Sequence, residues 1–357
     1  MSRSMAGAAL VAILWMLGAG GCGTREPLDP LVPATTTRMT DDDHRELDLA
    51  WSPDGRKIAY LRQNGVLIEI AVLDVATRAV TVLAPTGEAI DTLRWSPDGS
   101  QILLTASAAS TEIRLVTYPG GQERAFSHPC SDDDGGCIRR PFWSFDGSRL
   151  AAALDRSPGC VSSQDYELVV YDLGGYGCTI VDVHGPTDGA GGFTWSHLGE
   201  RVAYWYWVPA APMKLITTRD MDTGVSVAVT SGNGADHDPI WSPDDTLIAF
   251  SSRRGGQTDI WMTDSDGTTA PRRITDDAAT ENDVAWSPSG RNLSYRVHDG
   301  QTDSVWLVPA DGSLDPTCLT PDGVSEWAAR WSPVGSTLAF VREESGRSDL
   351  WVRTIAD

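Results

Sequence analysis

The sequence predicts an all-β fold, a seven-bladed β-propeller of four-stranded antiparallel blades, from a repeated motif, its spacing and the two chain ends. A Trp-Ser turn motif occurs seven times in the 357 residues. It starts at Trp51, Trp95, Trp143, Trp195, Trp241, Trp286 and Trp331, so neighbouring copies are 44, 48, 52, 46, 45 and 45 residues apart. Repeats of this length that contain short alternating strands are typical of propeller blades.

The motif is a turn followed by a strand. In its Trp-Ser-Pro-Asp-Gly form, proline fixes one backbone angle and glycine accepts the left-handed conformation that closes the turn. Apolar runs such as residues 57–60 and 247–250 follow it and predict the second strand of a blade. Residues 259–262 and 272–275 predict the third and fourth strands. We expect each motif tryptophan to pack between neighbouring blades, because a large aromatic ring supplies much of the area that joins two sheets.

The chain ends predict how the ring closes. After Trp331 the sequence contains three strands, which leaves the seventh blade one strand short. Residues 36–42 resemble residues 272–277, a fourth strand and its exit loop. We therefore expect residues 35–40 to complete the last blade and to cover its exposed edge.

The N-terminal segment predicts export from the cytoplasm. Arg3 precedes an apolar stretch and then small residues before Cys22, which is the pattern of a secretory signal. The cleavage region resembles a bacterial lipobox, with Cys22 as the lipid-modified residue; a simply secreted or membrane-held form is the alternative. The predicted organisation is a lipoprotein signal peptide over residues 1–21, a flexible tether over 22–34 and the propeller over 35–357, located outside the cytoplasm on a bacterial membrane.

Five further cysteines fit an oxidising compartment. Cys130 and Cys137 are close in sequence and are expected to pair. Cys160 and Cys178 would then pair by elimination, with Cys137–Cys160 as the rival pairing. Cys318 is expected to be a buried free thiol.

The charge restricts the classes of partner. The formal net charge is −21, which disfavours nucleic acid and anionic lipid headgroups and favours basic partners or cations. Solubility is a sufficient explanation by itself. We expect a monomer that contacts the membrane through its lipid anchor alone.

The residues just before each tryptophan give the best candidate site. In a propeller the first strand of each blade lines the central channel, so these residues are expected around one mouth. They are Glu46, Asp48, Asp91, Arg139, Arg140, Asp236, His237, Asp238, Glu281, Asp283 and Glu326. Converging carboxylates need water, arginine, a metal ion or a basic ligand, so a calcium ion is possible here, although Asp and Asn also begin turns. The identity of any metal is unknown, and no other cofactor is expected.

An aromatic segment in blade 4 is the second candidate. Trp205 and Trp207 lie in an apolar loop region that suits a partner or ligand. The alternative is that these rings cover the glycines at 191 and 192 of the same blade.

Catalysis has little support in the sequence. It contains no Gly-x-Ser-x-Gly elbow, no His-Glu-x-x-His helix and no Walker loop. The six histidines are scattered, and His237, between two aspartates, is the one most worth examining.

The repeat over residues 241–275 resembles the WD40-like propeller repeats of the TolB family, and the resemblance covers residues 35–357. It implies an envelope propeller that binds partner proteins at the channel mouth. The family pattern has six blades and an additional N-terminal domain, which this chain does not match. Similar propellers precede the catalytic domain of prolyl-oligopeptidase-type peptidases or act as polysaccharide lyases, whose histidine cluster does not match here.

These observations predict a non-catalytic lipoprotein propeller that binds an envelope protein or peptide at an acidic channel mouth. The alternative is a metal-dependent carbohydrate-active enzyme or lectin that uses the same face. A structural or sensory module is the third possibility.

Overall fold

The computed structural model describes residues 35–85, 90–106, 112–127, 137–155, 166–174, 177–181, 190–208, 213–232, 234–276, 279–321 and 323–355. Their strands form seven four-stranded antiparallel sheets, and these are the seven predicted blades. In this part of the chain no helix is long and apolar enough to cross a membrane.

The strands follow the chain blade by blade, except for the first. Strand β1 (Thr35–Arg38) belongs to blade 7. Blade 1 contains β2 (Arg45–Trp51), β3 (Lys57–Asn64), β4 (Leu67–Asp74) and β5 (Val80–Pro85); blade 2 contains β6 (Ile90–Trp95), β7 (Gln101–Ala106), β8 (Glu112–Thr117) and β9 (Glu123–Ser127); blade 3 contains β10 (Cys137–Trp143), β11 (Arg149–Asp155), β12 (Tyr166–Asp172) and β13 (Gly177–Val181).

The other four blades have the same order. Blade 4 contains β14 (Ala190–Trp195), β15 (Arg201–Val208), β16 (Met213–Asp220) and β17 (Ser226–Ala228); blade 5 contains β18 (His237–Trp241), β19 (Leu247–Ser252), β20 (Asp259–Asp264) and β21 (Arg272–Arg273); blade 6 contains β22 (Thr280–Trp286), β23 (Asn292–His298), β24 (Asp303–Pro309) and β25 (Thr317–Cys318); blade 7 contains β26 (Ser325–Trp331), β27 (Thr337–Glu344) and β28 (Arg347–Thr354).

The ring closes as predicted. β1 pairs antiparallel with β28, with Arg38 opposite Trp351. The Arg38 Nη2 atom lies 2.6 Å from Asp349 Oδ2. Arg273 and Asp259 make the same contact inside blade 5, at 2.8 Å, so the closing strand reproduces an ordinary fourth strand.

The innermost strands form the wall of the channel. The first strand of every blade contacts the first strand of the next, and β26 contacts β2 to complete the circle. A hydrophobic cluster lies between each pair of neighbouring blades.

The motif tryptophans join the blades, which confirms the prediction. Trp51 packs in a cluster with Leu49 of its own blade and Val341 of blade 7. Its Nε1 donates to the carbonyl of Arg330 in blade 7 at 2.9 Å. Trp95 donates in the same way to Ala50 at 3.1 Å. These two rings therefore add a directed hydrogen bond to the apolar area that they bury.

The turn chemistry explains why the motif recurs. In blade 1, Ser52 Oγ donates to Asp54 at 2.7 Å, and the amide of Gly55 donates to the Ser52 carbonyl at 2.9 Å. The serine hydroxyl and the Arg56 amide lower the pKa of the Asp54 carboxyl. Gly55 has a φ of 67°, which glycine adopts without steric cost.

Two predictions about processing and disulfides have different outcomes. Within the described ranges no cysteine is free, and both Cys137 and Cys318 are disulfide-bonded, so the prediction of a free thiol at Cys318 is wrong. The pairings of Cys130, Cys160 and Cys178 stay predictions, because these side chains lie outside the described residues. So do the signal peptide, Cys22 and the tether.

Candidate functional site at the channel mouth

The channel is a cavity of about 850 Å³. Two rows of residues from the inner strands line it: a first row one position before each motif tryptophan, and part of a second row three positions before it. The first row is complete around the ring and consists of Ala50, Arg94, Phe142, Thr194, Ile240, Ala285 and Arg330. Gly192, Asp238 and Asp283 belong to the second row.

A β-bulge interrupts each inner strand at the level of the second row. Register shifts interrupt the first ladder of every blade at this level. Gly192, Asp238, Asp283 and Ala328 have φ values of 63°, 50°, 53° and 53°. Aspartate tolerates this left-handed conformation better than most residues because its short polar side chain bonds locally. The bulge thus redirects two carboxylates away from the sheet.

Among the predicted acids whose side chains are described, those that reach solvent are Asp48, Asp238 and Asp283, which we call the acidic mouth. Their side chains are 30%, 46% and 49% exposed. Asp48 lies 3.9 Å from the guanidinium of Arg330, and Asp283 lies 2.8 Å from Nε of Arg296. Ion pairs this exposed are weak, so a ligand can compete for the carboxylates of Asp48 and Asp283.

His237 belongs to the same region. Its Nδ1 lies 3.1 Å from the Asp238 carboxylate, and its side chain is 23% exposed. The structure therefore brings His237 and Asp238 together, as their adjacency in the sequence suggested.

Four other predicted acids do not reach the mouth. Glu46, Asp236, Glu281 and Glu326 are completely buried, so the prediction that they face the channel rim is wrong. Each lies six residues after a buried threonine that ends the preceding blade, namely Thr40, Thr230, Thr275 and Thr320. Their position fixes the crossing from one blade to the next.

The contacts of these acids show a structural role. Glu326 accepts hydrogen bonds from Thr320 at 2.8 Å and from the Arg342 guanidinium at 2.6 Å. Asp236 accepts from Ser252 at 2.6 Å and from Nε of Arg254 at 3.1 Å. Buried carboxylates with such partners are retained because removing a partner leaves an uncompensated charge.

Glu46 differs from its three equivalents. Burial raises the pKa of the Glu46 carboxyl to about 7, and the charge of Asp42 raises it further. It lies at the seam where blade 7 meets blade 1: the hydroxyl of Ser348 in β28 donates to the Glu46 carbonyl at 3.1 Å.

Of the two aromatic residues of blade 4, Trp205 follows the alternative prediction, that the rings cover the glycines. Trp205 pairs across the sheet with Gly191, and a Cβ at Gly192 would come within 2.9 Å of its ring. Trp205 therefore covers the glycines, and its ring also packs against the cluster between blades 4 and 5. Trp207 is half-buried opposite Lys214.

The remaining predicted residues have only their backbone described. Asp91 lies at the bulge of β6, and Arg139 and Arg140 lie at that of β10. Their side chains lie outside the described residues. The sequence reasoning missed Arg94 and Arg330, which line the channel; both directly precede a motif tryptophan, and this position was the available signal.

The described residues offer no group of three or more His, Cys, Asp or Glu side chains placed to hold a metal ion. The possible calcium ion therefore stays a prediction.

Comparison with known proteins agrees with this architecture. Residues 155–356 match the family model described as the TolB beta propeller domain, PD40, and this is more than half of the chain. The chain belongs to that family. This TolB-type propeller is also 27% identical over 215 residues to an uncharacterised protein of Agrobacterium fabrum; the match covers 58% of this chain and 66% of the relative, so the chain spans just under two thirds of its length.

Solved structures share the fold of this TolB-type propeller. A candidate TolB from Agrobacterium tumefaciens has a TM-score of 0.56 and 22% identity, covering 81% of this chain and 98% of its own. An oligogalacturonate lyase in complex with manganese has a TM-score of 0.72 and 15% identity, covering 91% and 95%. Identities this low show the fold alone, and the fold serves both classes of protein.

Proposed function

We propose that this TolB-type propeller is a non-catalytic module of the bacterial cell envelope that binds a protein or peptide partner at the acidic mouth. The observation that carries the proposal is that Asp48, Asp238 and Asp283, which are substantially exposed, occupy equivalent positions on three inner strands of a closed ring. A lysine or arginine of a partner would find charge-assisted hydrogen bonds there. A strongly acidic protein also attracts such a partner from a distance.

The lipid anchor is the second part of the proposal. Lipidation at Cys22 would hold the propeller at a membrane through the tether of residues 22–34. Replacing Cys22 with alanine should release the protein from the membrane fraction, which fractionation and mass spectrometry of the N-terminal peptide would measure. Continued membrane association of this variant would show that a different feature holds it there.

The test of the acidic mouth removes its charge without straining the backbone. Asp48, Asp238 and Asp283 become asparagine, because asparagine accepts the left-handed φ at the last two positions. The control removes three charges from exposed positions on turns at the other end of the blades, with Asp222, Asp311 and Asp315 changed to asparagine. Both variants have the same net charge.

Capture from detergent-solubilised envelopes then compares wild type, mouth variant and control by quantitative mass spectrometry. We expect the mouth variant to capture at least 10-fold less of the partner proteins than wild type and control do. Equal capture by all three would refute the acidic mouth as the binding site.

The competing function is a metal-dependent carbohydrate-active enzyme or lectin, which the fold shared with the lyase favours. Metal analysis of the purified protein and a turnover assay on oligogalacturonate test it directly. Turnover, or stoichiometric bound metal with glycan binding, would overturn the non-catalytic proposal. Because Ca²⁺ would compete for the mouth carboxylates, capture is measured with and without a chelator.

A further inference from the structure

Lysine is rare in this chain, and one of the lysines lies beside the acidic mouth. Of the 28 basic side chains, two are lysines, Lys57 and Lys214. Lys57 has an ordinary partner, with Nζ 3.0 Å from Asp74. Lys214 instead places Nζ 3.8 Å from the centre of the Trp205 ring. This is a close cation–π contact.

The Trp205 ring is held in place from two sides. It packs against the hydrophobic cluster between blades 4 and 5, which includes Ile216 and Trp241. It also lies against Gly192, where any Cβ would come within 2.9 Å of Cδ1 and 3.1 Å of Nε1. Lys214 therefore rests on a ring whose position the fold determines.

The backbone of Asp238 lies beside this ring. The same Cβ at Gly192 would lie 3.2 Å from the Asp238 amide nitrogen, so ring and aspartate meet at that glycine. The charges around Lys214 are mixed, because Asp238 attracts the ammonium and Arg253 repels it. His237 also contacts the Asp238 carboxylate.

The ammonium of Lys214 is held there at a cost. Burial lowers the pKa of Lys214, Arg253 lowers it further, and the attraction of Asp238 opposes both. The lysine side chain is a flexible four-carbon stem, whereas an arginine brings a flat, weakly hydrated guanidinium that stacks well on an indole. A basic side chain from outside could therefore replace Lys214.

We propose that Trp205 and Asp238 form a slot for a lysine or arginine side chain of the partner, and that Lys214 is an internal occupant that must leave before the partner binds. This inference rests on the proposed function and adds the chemistry of the ligand, a basic peptide. Lys214 would then weaken binding of such a peptide by about 2- to 30-fold, the range that corresponds to a cation–π contact.

Because the chain has two lysines, magnetic resonance can follow the occupant directly. Protein labelled with ¹³C at the lysine Cε gives two signals, which a Lys57→Arg variant assigns. The Lys214 signal should start at a position shifted by the Trp205 ring current. Titration with hexa-arginine should move it to the position of a solvated lysine, while the Lys57 signal stays. A Lys214 signal that does not move at saturating peptide would overturn the proposal.

Affinity measurements give an independent readout. Binding of fluorescent hexa-arginine is measured by anisotropy for wild type, Lys214→Met and Arg291→Met, an exposed change of the same charge at the other end of the blades. We expect Lys214→Met to bind 2- to 30-fold more tightly than Arg291→Met. Adding Trp205→Leu to Lys214→Met should abolish this gain, and hexaglutamate should not bind. Equal affinities for the two methionine variants would contradict an occupied slot.

The two proposals fail separately. If the mouth variant loses native capture but the Lys214 signal does not move, the acidic mouth is supported as the binding site and the slot is refuted. If the Lys214 signal moves but native capture by the mouth variant is unchanged, the slot is supported and its role in capture is refuted. Melting curves of the Trp205→Leu double variant check its folding, and the lysine spectrum does not depend on that variant.

Discussion

Replacing Glu46 with glutamine should stabilise the protein at neutral and alkaline pH and have little effect near pH 4. Glu46 is completely buried, and its pKa is raised from 4.5 to about 7, mainly by burial. The folded state thus binds a proton that the unfolded state releases between about pH 4.5 and 7. Stability contributed by this proton is present below pH 4.5 and is lost as the pH rises through 7.

The magnitude follows from the size of the pKa change. A difference of about 2.5 pH units corresponds to about 3 kcal/mol. Glutamine keeps the shape and does not ionise. The free energy of unfolding of Glu46→Gln should therefore exceed that of wild type by about 3 kcal/mol at pH 8 and by less than about 1 kcal/mol at pH 4.

Urea denaturation at pH 4, 6 and 8, followed by tryptophan fluorescence, measures both proteins. Glu326→Gln is the matched comparison, because Glu326 occupies the equivalent place in blade 7 but has Arg342 as its partner. It should destabilise at pH 8 by about 3 kcal/mol, since it leaves a buried arginine charge uncompensated. If wild type and Glu46→Gln lose stability in parallel between pH 4 and 8, the reasoning about Glu46 is refuted.

Two further changes test the closure of the ring and the glycine at the mouth. Arg38→Ala leaves the buried Asp349 carboxylate without its contact to the closing strand. It should therefore lower the free energy of unfolding by about 1–3 kcal/mol. Faster hydrogen exchange confined to β1 and β28 would show this effect, and unchanged protection would contradict it. Gly192→Ala meets Trp205 and also has a positive φ, whereas Gly199→Ala has a positive φ with open space around its Cβ. Gly192→Ala should therefore lower the unfolding free energy by about 1–3 kcal/mol more than Gly199→Ala, and equal losses in thermal unfolding would show that the contact with Trp205 is unimportant.

The fold was accessible to sequence reasoning because local chemistry repeats in it. Each Trp-Ser turn carries its own signal in proline, aspartate and glycine, and the ring closure was visible in the likeness of residues 36–42 to 272–277. Those features depend on neighbours within a few residues. The structure uses them in the same way, for example in the hydrogen bond from Ser52 to Asp54.

The sequence predicted the site only in part, because the positions three and five residues before each tryptophan have similar compositions. The acids at 46, 236, 281 and 326 lie five residues before a motif tryptophan and are buried, whereas those at 48, 238 and 283 lie three before it and reach the acidic mouth. The bulge between these positions gives them different environments. An acidic residue by itself does not predict a bulge. The spacing of six residues from a threonine was the missed signal for burial.

The arginines of the channel were missed for a similar reason. Arg94 and Arg330 directly precede a motif tryptophan, a position that also contains Ala50 and Ile240. No residue type is common to that row, so no pattern was visible without the geometry of the ring.

Photo-crosslinking in intact cells tests the central claim most directly. A photoreactive amino acid replaces Asn282, which is next to Asp283 in the acidic mouth, or Asp315, an exposed residue on a distant turn. We predict a defined protein adduct from position 282 that is absent from position 315. Adducts of equal yield from both positions, or from position 315 alone, would contradict binding at the acidic mouth.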